Sequence, residues 1–424
     1  MLIEFSVANF KSIKSQQTFS MTKAKGDELE ENNSFQSGGI NRLGLLRSAV
    51  IYGPNAAGKS NFIDAMHTMK LIVAESATEQ QRGDKIPVAP FKLDPKTRKS
   101  ATEFEAVFIS AGIRYQYGFA ATKERIIEEW LIAFPKGRAQ HWYARLWNEK
   151  KNEYKWEMGN ALQGKKQLWL ESTRSNALFL STAVQLNSQQ LQPIYDWFNK
   201  TLRATTITGW GPGFTASLCG DLENKEKVLD FLKAADIDIH DVSLKKKLFD
   251  ESDIPDNLPE ELKTKISKNM LGKEILDEIH MVHKDSTGAL IAFDFDEESD
   301  GTRKLFSFAG PWLDTLKNGY VLFVDELHDN LHPRLVQFLI ELFHNSKANP
   351  NNAQLVFTTH ETTILNQEVF RRDQVWFCEK RDDQATSIYP LTDFSPRKGR
   401  ENLELSYLAG RYGAVPYVRR LKIA

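Results

Sequence analysis

The chain has 424 residues. A single compact hydrophobic core does not usually hold so long a chain, so the length indicates two or three modules. Its hydrophobic fraction of 41% is typical of a globular protein in water, and no apolar run approaches the roughly 20 residues that a membrane-spanning helix needs. The formal net charge of −1 excludes a strong overall attraction to nucleic acid or to an anionic membrane. Cys219 and Cys378 lack metal-ligand spacing and fit a reducing cytoplasm, where we expect the protein.

The N-terminal part contains the clearest local pattern. Alternation over 2–7 predicts an edge strand, and the apolar run over 45–52 predicts one buried strand. Apolar residues at helical spacing predict a helix over 61–77. Between that strand and that helix lies a G-x-x-x-x-G-K-S/T segment, which consists of Gly53, Pro54, Asn55, Ala56, Ala57, Gly58, Lys59 and Ser60 and is followed by Asn61.

A strand, a glycine loop and a helix in this order are the context in which such a segment binds phosphate. Glycines let the backbone curl so that its N–H groups point at phosphate oxygens, and the helix N-terminus adds a favourable dipole. Lys59 would hold the β- and γ-phosphates, and the Ser60 hydroxyl would ligate Mg²⁺. An ordinary glycine-rich turn is the alternative, and the flanking elements argue against it. The sequence therefore predicts binding of a nucleoside triphosphate.

The next part is rich in aromatic residues. Five short segments separated by turn residues predict an antiparallel meander, with the aromatic side chains filling a half-buried face. Stacking platforms for bases are the alternative interpretation of these aromatics. The five segments cover residues 103–109, 114–120, 126–134, 142–147 and 154–158.

Helical periodicity returns over 175–202 and 223–235, and we assign 161–285 to a helical insertion. Lys245, Lys246 and Lys247 follow one another in this region. Such a run is usually a solvated face, and a contact to DNA, to RNA or to a partner protein is the alternative.

The last third alternates between strand and helix patterns. This alternation is typical of a parallel sheet with helices on its faces. The predicted strands cover 289–295, 320–324, 354–357 and 374–377, and the predicted helices cover 302–317, 333–345 and 364–370.

Two acids follow the second of these strands. At the carboxyl end of a sheet, Asp325 would reach the Mg²⁺ shell, and Glu326 would orient and polarise an attacking water. A strand-end turn is the simpler interpretation of this pair alone. His360 ends the third strand and should reach the same edge, 360 − 325 = 35 residues after Asp325, although a lone histidine is usually structural.

Ser299, Gly301 and Thr302 open a predicted helix, 325 − 299 = 26 residues before the acid pair. A hydroxyl, a glycine and helix N-terminal N–H groups suit a γ-phosphate. An ordinary helix cap is the alternative for this segment taken by itself.

The order of these motifs resembles the head of an ABC-type ATPase, and more closely the head ATPases related to RecF, SMC and Rad50. The nearest resemblance is to the AAA15 or OLD-like group, which includes RloA and the abortive-infection ATPases of bacterial antiphage loci. Matching residues are NFKSI at 9–13, the phosphate loop, DELHDNLHP at 325–333 and YLAGRYGAVP at 407–416. The implied fold is α/β: an ABC-type ATPase head with a central, mostly parallel sheet, an antiparallel β meander and a helical insertion. We expect segments 1–100 and 286–424 to form the head around segments 101–160 and 161–285.

The resemblance also implies residue roles. Lys11 joins the nucleotide-binding residues, Asp325 supports the metal, Glu326 is the catalytic base and His360 senses the γ-phosphate. Ser299 and Gly301 are the signature residues that complete the site of the opposite subunit, which implies a head-to-tail homodimer with two nucleotides, and Thr302 is among the nucleotide-binding residues. The chain departs from the family at His328, where Asp is common, and Gln116 and Gln185 both stay candidates for the glutamine loop.

The implied function is that of an ATP-hydrolysing sensor or regulator of a separately encoded effector, a nuclease, in antiphage defence. OLD nucleases carry a C-terminal TOPRIM domain, and the 424 − 360 = 64 residues after His360 are too few for one. The alternatives are a RecF/SMC-like DNA-binding repair ATPase and an ATP-bound scaffold that holds a toxin inactive.

Overall fold

The computed structural model describes residues 1–38, 42–205, 210–254, 258 and 260–417. The chain forms two compact units. The first comprises Met1–Gly209, Thr315–Asp329 and Val336–Ala424, and the second comprises Trp210–Asp314 and Asn330–Leu335. The expected division into four segments stays a prediction.

The described residues form strands and α-helices. The strands are β1 (Leu2–Ala8), β2 (Gln17–Ser20), β3 (Ser34–Gln36), β4 (Gly44–Leu46), β5 (Ser48–Tyr52), β6 (Thr102–Ser110), β7 (Ile113–Ala121), β8 (Ile126–Phe134), β9 (Gln140–Asn148), β10 (Glu153–Met158), β11 (Leu202–Thr205), β12 (Asp241–Leu248), β13 (Glu274–Lys284), β14 (Leu290–Asp294), β15 (Val321–Val324), β16 (Gln354–Thr359), β17 (Val375–Lys380) and β18 (Thr386–Pro390). The helices are α1 (Glu30–Asn33), α2 (Lys59–Glu75), α3 (Lys166–Ser172), α4 (Phe179–Gln185), α5 (Gln192–Asp196), α6 (Gly213–Leu218), α7 (Leu222–Ala234), α8 (Glu260–Met270), α9 (Asp300–Asn318), α10 (Pro333–His344) and α11 (Leu403–Leu408).

A seven-stranded antiparallel sheet in the first unit has the order β10-β9-β8-β7-β6-β1-β2. The predicted meander is confirmed as β6 to β10. Its aromatic residues are buried or half-buried, as predicted, and the buried Tyr117 and Tyr143 side chains donate their hydroxyls to Glu129. The prediction that the first strand lies at an edge is wrong. After a tight turn in which Phe10 and Ile13 pair, β2 returns along one side of β1, and β6 covers the other side.

A six-stranded sheet in the same unit has the order β11-β15-β16-β5-β17-β18. The strands β11, β15, β16, β5 and β17 run parallel, and only β18 is antiparallel to its neighbour, so the prediction of a mostly parallel sheet is confirmed. The strand predicted over 289–295 is the exception, because it is β14, which pairs antiparallel with β13 in a separate sheet. The strand predicted over 45–52 is divided into two, because β4 pairs with β3 and β5 joins the parallel sheet. Between them the Arg47 side chain is buried and donates to the Asn349 carbonyl at 3.1 Å.

Helix α2 packs into a core that includes residues of both large sheets. Its apolar face contains Phe62 and Met66, both fully buried. The Phe62 ring lies 5.4 Å from that of Phe5 on β1 and 5.6 Å from that of Phe19 on β2. This packing fixes the helix that begins at the end of the phosphate loop.

The second unit contains a three-stranded antiparallel sheet of order β12-β13-β14 and the helices α6, α7 and α8. Segment 161–285 contains helices and also the strands β11, β12 and β13, which the sequence does not predict. The helical prediction over 175–202 is confirmed for α4 and α5 but is wrong at Leu202, where β11 begins. Lys245, Lys246 and Lys247 lie on β12 and form ion pairs with acids at 2.6–3.5 Å, as expected of a solvated face.

The prediction of a helix over 364–370 is wrong, because turns occupy this segment. The Asn366 side-chain oxygen accepts from the backbone N–H groups of Glu368 and Val369, at 3.0 and 2.9 Å. Such side-chain bonds compete with the backbone pattern of a helix.

Candidate active site

The phosphate loop connects the buried strand β5 to helix α2, as predicted. Ala56 and Gly58 have left-handed backbone φ angles of 64° and 109°, which give the loop its curl. A Cβ at Gly53 would lie 2.1 Å from the Cys378 carbonyl oxygen, and one at Gly58 would lie 2.1 Å from the Thr386 hydroxyl. Both glycines are therefore required by close approach of neighbouring atoms.

The side chain of Lys59 turns back into the loop. Its ammonium donates to the Gly53 carbonyl at 2.7 Å and to the Pro54 carbonyl at 3.2 Å, and the residue is only 5% exposed. Burial lowers the pKa of the Lys59 ammonium, whereas Cys378, Glu326 and Asp325 act on that pKa in the opposite direction. A buried cation next to two acids is thus present at the loop that the sequence assigns to phosphate.

Hydroxyl groups from distant parts of the chain support the loop from outside. Thr386, the first residue of β18, donates to the Ala57 carbonyl at 2.7 Å. Its hydroxyl also lies 2.7 Å from that of Ser12, which accepts from the Asn61 side chain at 2.7 Å. The sequence analysis missed Thr386, and Ser12 appeared only within the matching segment 9–13.

Lys11, which the resemblance assigned to the nucleotide, pairs with Asp64 of helix α2 at 2.7 Å. It is partly exposed and adopts a left-handed φ of 47° in the tight turn after β1. Its ammonium is therefore tied to the same helix that begins at the phosphate loop.

The acids follow β15, as predicted. Asp325 is 6% exposed, and one of its carboxylate oxygens accepts from the Thr358 hydroxyl at 2.5 Å. The same hydroxyl accepts from the Glu326 backbone N–H at 2.8 Å. Glu326 has a left-handed φ of 52°, so the chain turns sharply directly at this acid. One hydroxyl, that of Thr358, thus holds the Asp325 carboxylate and the Glu326 backbone, a role that the sequence does not predict.

Strand register brings His360 to the same edge. In the parallel pair of β16 and β5, Thr359 lies opposite Tyr52, so His360 and Gly53 both follow at the carboxyl ends of adjacent strands. The exposed His360 ring contacts His328, with 2.8 Å between their Nε2 atoms. The phosphate loop, the acid pair and His360 therefore meet where three adjacent parallel strands end.

A family model for "AAA domain, putative AbiEii toxin, Type IV TA system" matches residues 48–366. This match spans most of the chain. The chain belongs to this AAA_21 family. It therefore carries an AAA-type ATPase domain, and the match includes the phosphate loop, both acids and His360. Lys11 and Thr386 lie outside the matched AAA_21 residues.

Solved structures similar to this AAA_21 protein include two SMC heads. One is the SmcHead bound to the C-winged helix domain of ScpA, at 13% identity and a TM-score of 0.40, covering 92% of this chain and 96% of that one. The other is the Smc head domain with an extended coiled coil bound to the C-terminal domain of ScpA, derived from Pyrococcus furiosus, at 10% identity and a TM-score of 0.36, covering 92% and 97%. No curated protein matches the chain.

The oxygen donors at the AAA_21 site fit Mg²⁺. The Ser60 hydroxyl at the start of α2 and the Asp325 carboxylate are hard ligands, and Mg²⁺ usually combines one or two such groups with phosphates and waters. In the described residues, no three His, Cys, Asp or Glu side chains are grouped to hold a metal ion. Among the same residues, no helix has the length and apolar character needed to cross a bilayer.

The structure also describes the surroundings of the other predicted residues of the AAA_21 chain. Ser299, Gly301 and Thr302 belong to the second unit, where the Ser299 hydroxyl accepts from the Thr302 N–H at 3.1 Å and so caps α9. Of the two glutamine-loop candidates, Gln116 lies on β7 and donates to Glu105 at 2.9 Å, and Gln185 is exposed at the end of α4.

Proposed function

We propose that this AAA_21 protein hydrolyses ATP at an ABC-type, Mg²⁺-dependent site. The observation that carries the proposal is the meeting of a buried lysine, an anchored acid pair and a histidine at the carboxyl ends of β5, β15 and β16. Ligands bind at this edge in open parallel sheets.

Each side chain has a distinct task in this proposal. Lys59 exchanges its two carbonyl partners for the β- and γ-phosphates, which give a buried cation a charged partner. Glu326 accepts a proton from the attacking water, and His360 contacts the γ-phosphate. Mg²⁺, held through Ser60 and Asp325, would supply charge neutralisation at the phosphates.

We extend the proposal to a head-to-tail homodimer. Ser299 is exposed at the N-terminal end of α9, with Gly301 and Thr302 in the first turn. Backbone N–H groups at such a helix start suit the γ-phosphate of a second subunit's nucleotide. ATP binding would then hold the dimer together, and hydrolysis would release it.

The biological role that we propose is that of a sensor or regulator of a separately encoded effector, a nuclease, in antiphage defence. The family description names a toxin and a type IV toxin–antitoxin system, which supports a role beside a second, toxic component. A RecF/SMC-like repair ATPase is the weaker candidate, because the Lys245–Lys247 run is paired with acids and offers few free cations for phosphates.

The decisive experiment compares Lys59→Ala and Glu326→Gln with the wild type. Lys59→Ala should abolish ATP binding in calorimetry, because the phosphates lose their buried cation. Glu326→Gln should bind ATP normally but lower kcat at least about 100-fold, as expected for loss of a general base. The exposed pair Lys151→Ala and Glu153→Gln serves as matched controls with wild-type behaviour. Normal ATP affinity in Lys59→Ala would exclude the proposed nucleotide site.

The effector proposal needs its own test. Tagged wild-type and Glu326→Gln proteins are co-expressed with the product of the neighbouring reading frame and purified with ATP. We expect that product to copurify, and its activity to differ between the two variants. An ATPase that copurifies with nothing from its own locus, and that binds duplex DNA only with ATP, would favour the repair alternative.

A further inference from the structure

The turn after the acid pair holds His328 in contact with His360. The Nε2 atoms of the two rings are 2.8 Å apart, the ring centroids are 3.8 Å apart, and the rings meet edge to face at 67°. Neither the predicted catalytic role of Glu326 nor that of Lys59 requires this contact.

The backbone fixes this contact from both sides. Leu327 is fully buried, and its N–H donates to the Thr358 carbonyl at 3.1 Å, while the Asp329 N–H donates to the Glu326 carbonyl at 3.0 Å. His328 therefore sits in a turn that is bonded to β16, the strand that ends immediately before His360. Both histidines are therefore held by β16, His328 through its hydrogen-bonded turn and His360 through its position directly after the strand.

A hydrogen bond between two Nε2 atoms needs one donor and one acceptor, so one ring carries its proton at that atom and the other does not. The bond thereby restricts the orientation of both rings, and the ring that accepts at Nε2 carries its proton at Nδ1. Without it, the exposed His360 side chain at a strand end would be free to adopt several rotamers.

We propose that His328 is a positioning residue that holds the His360 imidazole in the orientation required to contact the γ-phosphate. This inference rests on the proposed function, because it takes His360 to face the nucleotide. The consequence is that the site distinguishes ATP from ADP through a pair of histidines, of which only His360 touches the phosphate.

Two substitutions of His328 separate hydrogen bonding from space filling. The side-chain amide of His328→Gln can take the place of Nε2 and can donate or accept a hydrogen bond. His328→Phe keeps a planar ring and the edge-to-face contact but cannot form the hydrogen bond to His360. His360→Ala and the double variant His328→Phe/His360→Ala complete a cycle that measures coupling. Thermal unfolding of each variant checks that it folds.

The readouts are kcat, KM for ATP, and the ratio of the Kd values for ADP and a non-hydrolysable ATP analogue. We expect His328→Phe to lower kcat about 10-fold or more, as loss of a partner behind a functional histidine does, with little change in ADP affinity. His328→Gln should stay within about threefold of the wild type in kcat. In the His360→Ala background, His328→Phe should have no further effect on kcat or on the Kd ratio.

The inference would be overturned if His328→Phe had the wild-type kcat and the wild-type Kd ratio. It would also be overturned if His328→Phe lowered kcat as much in the His360→Ala background as it does alone. A failure of His328→Gln to retain activity would assign the effect to ring packing and would also overturn it. Failure of the proposed function has a different signature, since Lys59→Ala and Glu326→Gln would then behave as the wild type. The ratio of the Kd values for ADP and the ATP analogue measures the effect of the histidine pair even if hydrolysis is slow.

Discussion

The hydroxyl of Thr358 lies 2.5 Å from the carboxylate of Asp325, to which it donates, and it accepts from the next backbone N–H at 2.8 Å. A single side chain on β16 therefore holds the carboxylate of Asp325 and the backbone of Glu326, the two residues that follow β15. Asp325 is 6% exposed, and a carboxylate buried to this degree needs hydrogen-bond partners. The relationship connects the packing of two parallel strands to the placement of the proposed base.

We expect Thr358→Val to impair hydrolysis without removing the site. Valine has the same shape but cannot donate to Asp325 or accept from the Glu326 N–H, so both acids lose their anchor. The free energy of unfolding should fall by about 1–3 kcal/mol, and kcat should fall about 10-fold or more. Thr358→Ser keeps the hydroxyl and is the matched control. A Thr358→Val enzyme with wild-type kcat would mean that other contacts hold the acid pair.

Gly58→Ala should abolish nucleotide binding, and Gly83→Ala should not. Both glycines have left-handed φ angles, 109° and 93°, so both substitutions carry a similar backbone cost of about 1–2 kcal/mol. Only the Gly58 Cβ would collide with the Thr386 and Ser12 hydroxyls, at 2.1 and 2.8 Å, whereas the Gly83 Cβ meets no atom within 4 Å. Calorimetric titration with ATP measures the difference. Equal affinities for the two variants would show that the loop tolerates displacement.

The sequence predicted those features that depend on short stretches of chain. Alternation and turn residues predicted the meander from β6 to β10, and the apolar run before Asp325 predicted β15. The strand, loop and helix around Lys59 were predicted for the same reason, since each element is specified by its own residues.

Features that depend on contacts between residues far apart in the chain could not be predicted from the sequence. Thr386 supports Ala57 across 329 positions of sequence, and this contact exists only because β18 and the loop meet in the folded sheet. The first strand was assigned to an edge because its partner β6 begins only at Thr102. The contact of His328 with His360 likewise depends on the order of β15 and β16 in the sheet.

The stability of the first unit should decrease in mild acid through His344. This side chain is buried on α10, lies 2.7 Å from the Ser48 hydroxyl of β5, and has its pKa lowered to about 3 by burial and by Arg47. Because the folded pKa is below the unfolded value of 6.5, the unfolded chain binds a proton that the folded chain does not. Stability is therefore lost as the pH falls from about 6.5 towards about 3.

Urea unfolding at about pH 7.5 and about pH 5.5 measures this effect. One histidine with these values should account for about 1.4 kcal/mol of the loss. His344→Gln, which can still bond to Ser48, should be less stable at the higher pH but should lose less stability on acidification. His141→Gln, at an exposed position on β9, should keep the wild-type pH dependence. The same pH dependence in His344→Gln would mean that other groups cause the loss.

The last prediction tests whether Ser299 acts in its own subunit or in a neighbour's. A Ser299→Arg protein should be inactive because a bulky cation spoils the helix start that we propose completes the partner's site. A Lys59→Ala protein should be inactive because it cannot bind its own nucleotide. If Ser299 acts in the neighbour, a mixed dimer has one site with both lesions and one site with neither. Mixing the two proteins should then restore ATPase activity, up to about one quarter of the wild-type value if subunits exchange at random and each site fires alone. If Ser299 acts in its own subunit, every site keeps a defect and mixing restores nothing.

Crosslinking of Glu326→Gln with ATP provides the second measurement, because sites that must fire together would also prevent rescue while leaving the dimer intact. A chain that stays monomeric in that crosslinking experiment, and that shows no rescue, does not form the head-to-tail dimer proposed here.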